Sequence, residues 1–303
     1  MEQKSDFKYM YRQCALCARR CGVDRASGNG GYCRMGDVAV VSRAALHFWE
    51  EPPISGTRGS GTIFFSGCSL GCVYCQNREI SRGDVGVPAD TERLSEIMLD
   101  LKKQGAHNIN LVTPTHFIPS IAEAIDLARD KGLELPIVYN TGGYDSLDGL
   151  RAMEGRVDVY LPDMKYYRAE SGARLSSVPD YPDRCRDAIA EMVRQVGAPA
   201  FDGDIMVKGV IVRLLLLPSH LAEAKLNLKY LFSTYGDSVY ISLMNQYTPM
   251  PGMKAPLDRK VSSAEYNELV DYALRLGVKN AFIQEGGTQS ESFIPPFDLT
   301  GVR

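Results

Sequence analysis

Long apolar runs are missing. No stretch approaches the roughly 18 residues that a bilayer-crossing helix needs, and the longest, Val210 to Leu217, is broken by Arg213 and predicts a buried strand. Met1 is followed by polar residues rather than by a charged start and an apolar core, so no export signal is expected and a cytoplasmic location is. Charge of one sign is not in excess either: 34 Lys and Arg against 37 Asp and Glu give a formal net charge of −3. That removes the global basic field through which nucleic acid or an anionic membrane would be held. There is no glycine-rich dinucleotide fingerprint, no internal repeat and no low-complexity segment. What remains is an ordinary globular composition, 45% hydrophobic and 23% charged over 303 residues, sufficient for one large core.

Cysteine is the exception. Eight occur, and seven of them, Cys14, Cys17, Cys21, Cys33, Cys68, Cys72 and Cys75, fall in the first 75 residues. In a long chain without an export signal, such clustering points to metal ligation rather than disulfides. The eighth, Cys185, stands alone in a helical pattern and reads as a core or surface thiol.

Hydrophobic periodicity becomes regular near residue 60. Thr62–Ser66 predicts a strand. Asp90–Gln104 predicts a helix, with Leu94, Ile97, Met98 and Leu101 at helical spacing. Strands at Asn108–Thr113, Pro136–Asn140, Val157–Leu161, Val207–Leu217, Val239–Met244 and Ala281–Gln284 follow. They alternate with helices at Pro119–Lys131, Ser146–Met153, around Ile189–Val196, at Ser219–Tyr235 and at Ser262–Leu276. The last carries a capping box, Ser262 with Glu265. Continuously apolar strands alternating with helices predict an α/β fold with a parallel sheet covered on both faces. Six or more units without a dinucleotide fingerprint favour a partial (β/α)6-type TIM barrel. The expected organisation is a small, irregular, Cys-rich leader over 1–54, the barrel over 55–285, and a tail over 286–303 packed on the barrel.

Cys68-x3-Cys72-x2-Cys75 directly follows the first barrel strand, at the face where barrels carry their chemistry. Three thiolates on one loop suit a cubane iron–sulfur cluster with one iron left open. The leader adds Cys14-x2-Cys17-x3-Cys21-x11-Cys33. Four thiolates there could hold either a structural zinc or an auxiliary cluster. Seven Lys or Arg against three Asp or Glu in residues 1–34 would offset their charge.

The Cys68 loop, with Tyr74 before its last cysteine, resembles that of the radical S-adenosylmethionine (SAM) superfamily. Within it, the chain is similar to pyruvate formate-lyase activating enzyme-like proteins, in an uncharacterised branch with a Cys-rich leader. The resemblance spans roughly residues 55–250. It implies a [4Fe–4S] cluster on Cys68, Cys72 and Cys75, whose open iron chelates SAM. It also implies reductive cleavage of SAM to a 5′-deoxyadenosyl radical that abstracts hydrogen from a substrate, which in the activating enzymes is a glycyl-radical protein. An electron donor such as flavodoxin or ferredoxin is implied as a partner, and a protein substrate is a further candidate.

Cys75-Gln76-Asn77-Arg78 resembles the exit of the cluster loop. Pro162-Asp163-Met164-Lys165 resembles an element contacting the methionyl end of SAM, and Val212-Arg213 a strand element beside the cofactor. The family's Gly-Gly-Glu after the second strand is replaced by Thr113-Pro114-Thr115-His116. Its Asp after the third strand is replaced in Tyr139-Asn140-Thr141-Gly142-Gly143, where Asn140 and Thr141 can still accept hydrogen bonds. The expected cofactor contacts are therefore Tyr74, Asn77, Asn140, Thr141, Asp163, Lys165 and Arg213, with His116 as a strand-end residue or a ligand contact. The alternative is a non-catalytic iron–sulfur or zinc scaffold for electron transfer, for which an open iron in a deep barrel mouth would serve no purpose.

Overall fold

The computed structural model describes residues 7–284 and 294–302. In chain order the elements are β1 (Ala39–His47), α1 (Pro52–Ser55), β2 (Ser60–Phe65), α2 (Arg78–Ser81), β3 (Val87–Ala89), α3 (Thr91–Lys103), β4 (Ile109–Val112), α4 (Ile118–Asp130), β5 (Ile137–Thr141) and α5 (Leu147–Ala152). Then come β6 (Val159–Pro162), α6 (Ala169–Ser176), α7 (Tyr181–Val196), β7 (Ala200–Asp202), β8 (Ile205–Leu215), α8 (Leu221–Tyr235), β9 (Tyr240–Met244), α9 (Ser263–Leu276) and β10 (Ala281–Ile283).

The sheet order is β10-β9-β8-β6-β5-β4-β2-β1-β3, with β7 paired to β8. From β2 to β10 every neighbouring pair along this path is parallel, and β1 runs antiparallel to both β2 and β3. The sheet is thus an open barrel, as the alternation predicts. Strands β2, β4, β5 and β6 are buried along their whole length, because helices cover their outer face and side chains fill the inner one. The apolar stripe of α3, Leu94, Ile97, Met98 and Leu101, is essentially fully buried, and Asp90 caps its start by accepting from Arg93 N at 2.8 Å. The capping box of α9 forms as its sequence predicts.

One expectation changes. Residues 1–54 are not irregular throughout, since Ala39–His47 is a nine-residue strand in the sheet. Its alternation is blurred by Ser42 and Arg43. Ser42 is buried and shares a hydrogen bond of 2.6 Å with Ser66, so a polar residue occupies a core position. Residues 299–302 lie along β1: Ala44 N donates to Thr300 O at 2.8 Å, Leu299 N donates to Ser42 O at 3.2 Å, and Val302 is buried. Residues 286–293 of the predicted tail lie outside the described residues.

The segment between β1 and β2 closes the barrel at the N-terminal ends of its strands. Ile54, on α1, is fully buried among Val138, Val159, Leu161, Met206 and Ile211, and its carbonyl accepts from Asn108 Nδ2 at 2.7 Å. This plug carries Glu50 and Glu51 on its lumenal side. Among the described residues no helix is long and apolar enough to cross a membrane.

Candidate active site

Register puts the polar residues of the barrel side by side. Val112 pairs with Asn140, Asn140 with Leu161 and Thr141 with Pro162; Asp163 bridges to Arg213, which pairs with Ser242. Of these, Val112, Asn140, Thr141, Asp163, Arg213 and Ser242 join the cysteine loop, Glu50 and Glu51 in lining one cavity of about 540 Å³, within the range of small-molecule sites.

Cys68, Cys72 and Cys75 all face this cavity. The loop begins at Gly67, whose φ of +86° favours glycine. A Cβ there would stand 2.5 Å from Met35 Cγ and 2.8 Å from Cys33 O, so the leader packs directly behind the loop. Burial raises the Cys68 thiol, and burial with its neighbours Cys72 and Cys68 pushes Cys75 up to about 12. Cys72 instead receives hydrogen bonds. Ser176 Oγ donates to its sulfur at 2.9 Å, and Tyr166 Oη lies 3.9 Å away. Tyr166 is 2.6 Å from Ser176 Oγ and 2.9 Å from Tyr74 Oη. With Ser176 donating to sulfur, the chain runs Tyr74 to Tyr166 to Ser176 to Cys72. The Tyr74 hydroxyl is therefore engaged within the protein.

Among the described residues no three His, Cys, Asp or Glu side chains stand at the spacing of a single bound ion, for which sulfurs lie roughly 4 Å apart. A cubane cluster, with a different iron at each corner, takes its thiolates farther apart than that. Three thiolates at the cavity, with no fourth cysteine among the described lining residues, fit a [4Fe–4S] cluster with an open corner. Beside them the buried Asn77 Oδ1 has no hydrogen-bond partner.

A charged network lines the same cavity. Arg213 Nε donates to Asp163 Oδ1 at 2.7 Å, Nη2 to Asn140 Oδ1 at 2.6 Å, and Nη1 to Glu50 Oε2 at 3.4 Å. Asn140 Nδ2 returns a bond to Glu50 Oε1 at 3.1 Å, and Lys165 Nζ donates to Asp163 Oδ2 at 2.6 Å. Burial alone would raise the Asp163 carboxyl, but Arg213 and Lys165 outweigh it and hold it below the ordinary value. Glu50 is pushed upward by burial despite Arg213. Thr141 lines the same cavity but donates to the buried Asp145 at 2.7 Å.

Sequence reasoning brought Asn140, Asp163, Lys165 and Arg213 together and missed Glu50 and Glu51. It also missed Ser176 and Arg19. Arg19 donates to the Ser69 and Leu70 carbonyls and to Ser176 O at 3.1 Å, with its guanidinium 3.4 Å from the Tyr32 ring centre, tying the leader to the cysteine loop and to α6. His116 does not line the cavity. Its Nε2 contacts Ser66 O at 2.7 Å, and burial with Arg25 nearby lowers it to about 3, so the neutral ring braces the approach to the loop. Cys185 is a core thiol, fully buried.

The leader cysteines converge too. Cys14, Cys17 and Cys33 are buried and Cys21 is exposed. Cys21 Sγ and Cys33 Sγ lie 2.9 and 4.0 Å from where a Cβ on Gly31 would stand. Arg25 is fully buried among them, donating to Met35 O at 3.0 Å, to His116 O, and to Cys14 Sγ at 3.8 Å.

The profile of the radical SAM superfamily matches residues 62–213, which carry the cysteine loop, the Asp163–Lys165 element and Arg213. The chain belongs to the radical SAM superfamily. It is an enzyme, and the superfamily's equipment is a [4Fe–4S] cluster and SAM. An uncharacterised protein of Methanocaldococcus jannaschii is 29% identical over 279 residues, 88% of this chain and 75% of that one. Among solved structures, a radical SAM methyltransferase from Sphaerobacter thermophilus superposes with a TM-score of 0.53 at 14% identity, over 93% of this chain and 88% of its own. Methylornithine synthase gives 0.52 at 19% identity, over 93% and 72%. Streptococcus suis SuiB, solved with its precursor peptide SuiA, gives 0.52 at 14% identity over 72% of this chain, which spans 46% of SuiB. At these identities the likeness is one of fold.

Proposed function

We propose that Cys68, Cys72 and Cys75 hold the [4Fe–4S] cluster, that Asp163 and Lys165 hold the methionyl end of SAM, and that the enzyme abstracts hydrogen from a substrate bound in the barrel lumen. When bound, the cluster supplies one electron for cleaving SAM to methionine and a 5′-deoxyadenosyl radical. The observation that carries this reading is the shared cavity, lined both by the three cysteines and by the Asp163–Lys165–Arg213 network. Lys165 offers a point charge to a carboxylate, Asp163 orients it, and the closed barrel floor excludes water from the lumen. A glycyl-radical protein as substrate, and flavodoxin or ferredoxin as electron donor, rest on the resemblance to activating enzymes, as a cytoplasmic location rests on the sequence.

Anaerobically reconstituted protein with dithionite and SAM should release 5′-deoxyadenosine. Lys165→Met should weaken SAM binding by about 1.5–3 kcal/mol, the range for a hydrogen bond to a charged group, with cluster content unchanged. Lost iron at unchanged SAM affinity would make the pair structural instead.

Ser176 bears on the potential of that cluster. A hydrogen bond to a cluster sulfur stabilises the more negative, reduced state and raises the potential. Ser176→Ala should lower the cluster midpoint by roughly 40 mV, the one-electron equivalent of about 1 kcal/mol. Redox titration followed by electron paramagnetic resonance reads this directly, and an unmoved or raised midpoint would contradict it.

For the leader, the reading is a second metal on Cys14, Cys17, Cys21 and Cys33. Arg25 supports it: among the described residues this buried guanidinium is met by carbonyls, a cysteine sulfur and the Tyr11 and Phe117 rings, with no carboxylate bonded to it, and a set of thiolates would supply the missing negative charge. Changing all four cysteines to Ser should remove about four irons per chain for an auxiliary cluster; loss of one zinc instead would mean that the four sulfurs draw closer on binding than they stand here. Full metal content in that variant would refute the leader site.

A further inference from the structure

Glu51 is unlike the other charged groups of the lumen. It is 7% exposed, it lines the cavity, and its Oε2 is buried without a hydrogen-bond partner. Asp163 is matched by Lys165 and Arg213, and Glu50 by Arg213 and Asn140. Glu51 shares the charge of Arg213 with Asp163 and Glu50, and no donor of that network reaches its Oε2. A buried carboxylate oxygen without a donor is costly unless a ligand satisfies it.

The position of Glu51 says which ligand. Arg213, Glu50 and Ser242 face it. Ser242 is on β9, so Glu51 stands on the β9 side of the lumen, whereas Asp163 and Lys165 follow β6 on the far side of β8. It is therefore separated from the element assigned above to the methionyl end of SAM. Burial, with Glu50 adding to it and Arg213 opposing it, pushes this carboxyl up to about 7, so a cation arriving beside it can draw it into its charged form near neutral pH.

We propose that Glu51 is the anchor for an ammonium group of the substrate, so that the enzyme acts on an amine-bearing molecule or side chain whose cationic end docks between Glu51 and Ser242. This deepens the function proposed above and rests on it for the word substrate alone; the binding of the cation stands independently. The carboxylate oxygen would accept from the ammonium, Ser242 would add a second polar contact, and the mixed apolar wall toward Phe282 and Met244 would take the carbon chain. Placing the one anchoring charge on the barrel floor plug ties substrate position to a rigid element rather than to a loop.

The test uses the reconstituted protein with SAM present and three probes of matched length: n-butylamine, n-butanol and butyrate. Ligand-observed NMR, at probe concentrations up to about 50 mM to reach millimolar Kd values, should show butylamine binding about tenfold tighter than butanol and no binding of butyrate, as a charge-assisted hydrogen bond requires. Glu51→Gln, which preserves size and removes the charge, should bring butylamine to the level of butanol. Butylamine binding equally to wild type and Glu51→Gln, or showing no advantage over butanol, overturns the proposal. So does a fall in SAM affinity in Glu51→Gln with butylamine binding intact, which would assign the carboxylate to the ammonium of SAM. Release of 5′-deoxyadenosine by the wild type reports separately on the SAM-cleaving reading, so the two can fail independently.

Discussion

Replacing Cys72 by Ala is expected to abolish 5′-deoxyadenosine formation. A cubane held by three thiolates loses a corner ligand, and the sulfur removed is the one that accepts from Ser176 at 2.9 Å. Even outer-shell partners of metal ligands cost 10–100-fold when removed, so loss of a ligand itself should lower SAM cleavage by more than about a hundredfold. Cys72 is part-exposed on a loop, so the barrel should fold without it and circular dichroism should be unchanged. Iron and sulfide per chain, the visible charge-transfer absorbance and the product yield should fall together. Cys185→Ala is the control for cluster content: its buried thiol does not line the cavity and donates only to the Asp163 carbonyl, at 3.5 Å, so the variant should retain the cluster. A Cys72→Ala protein that cleaves SAM at the wild-type rate would remove the assignment of the loop.

The parts of this site that could be read in the sequence are those set by local spacing. Cys68, Cys72 and Cys75 sit within eight residues after a strand, and Asp163, Lys165 and Arg213 sit at or just beyond strands whose apolar runs are plain. Periodicity carries such strands because both faces are buried, and α9 adds a capping box that sequence alone reveals. Glu50 and Glu51 carry no such signal. Trp49-Glu50-Glu51-Pro52-Pro53 reads as a solvated linker, and only the packing of Ile54 into the barrel turns it into a plug with two carboxylates facing inward. Ser176 lies 104 residues from the sulfur it contacts, and Arg19 lies 157 residues from Ser176. Contacts of that separation leave no periodic trace. β1 escaped for a different reason: Ser42 is buried on a hydroxyl–hydroxyl bond, which breaks the apolar alternation that marks a half-buried strand.

Arg213→Met should be the most destabilising substitution in the lumen. The guanidinium serves Asp163, Asn140 and Glu50 at once, and burial, which would lower its pKa, is overcome by the carboxylates of Asp163, Glu51 and Glu50, so it stays charged. Methionine fills a similar volume, so the effect isolates charge from packing. Breaking a buried pair by removing one partner costs about 3–5 kcal/mol, because the surviving carboxylates remain buried. Lys165 still neutralises part of Asp163, so Glu50 is the group left most exposed to the loss. Two signatures separate this from a general packing defect. In wild type Asp163 is held below its ordinary value, so its stabilising contribution is present above the unfolded-state pKa and is lost as pH falls through the folded one. In Arg213→Met the buried carboxylates should instead have raised pKa values. The folded state then binds protons more readily than the unfolded one, and the deficit should shrink as pH is lowered from 7 toward about 5. Second, adding Glu50→Gln to Arg213→Met should recover part of the lost stability, since it removes the stranded charge while keeping the side-chain size. Urea unfolding at both pH values measures each effect. A loss under about 1 kcal/mol, or one that neither pH nor the second substitution alters, would mean that Arg213 is not the electrostatic centre of the lumen.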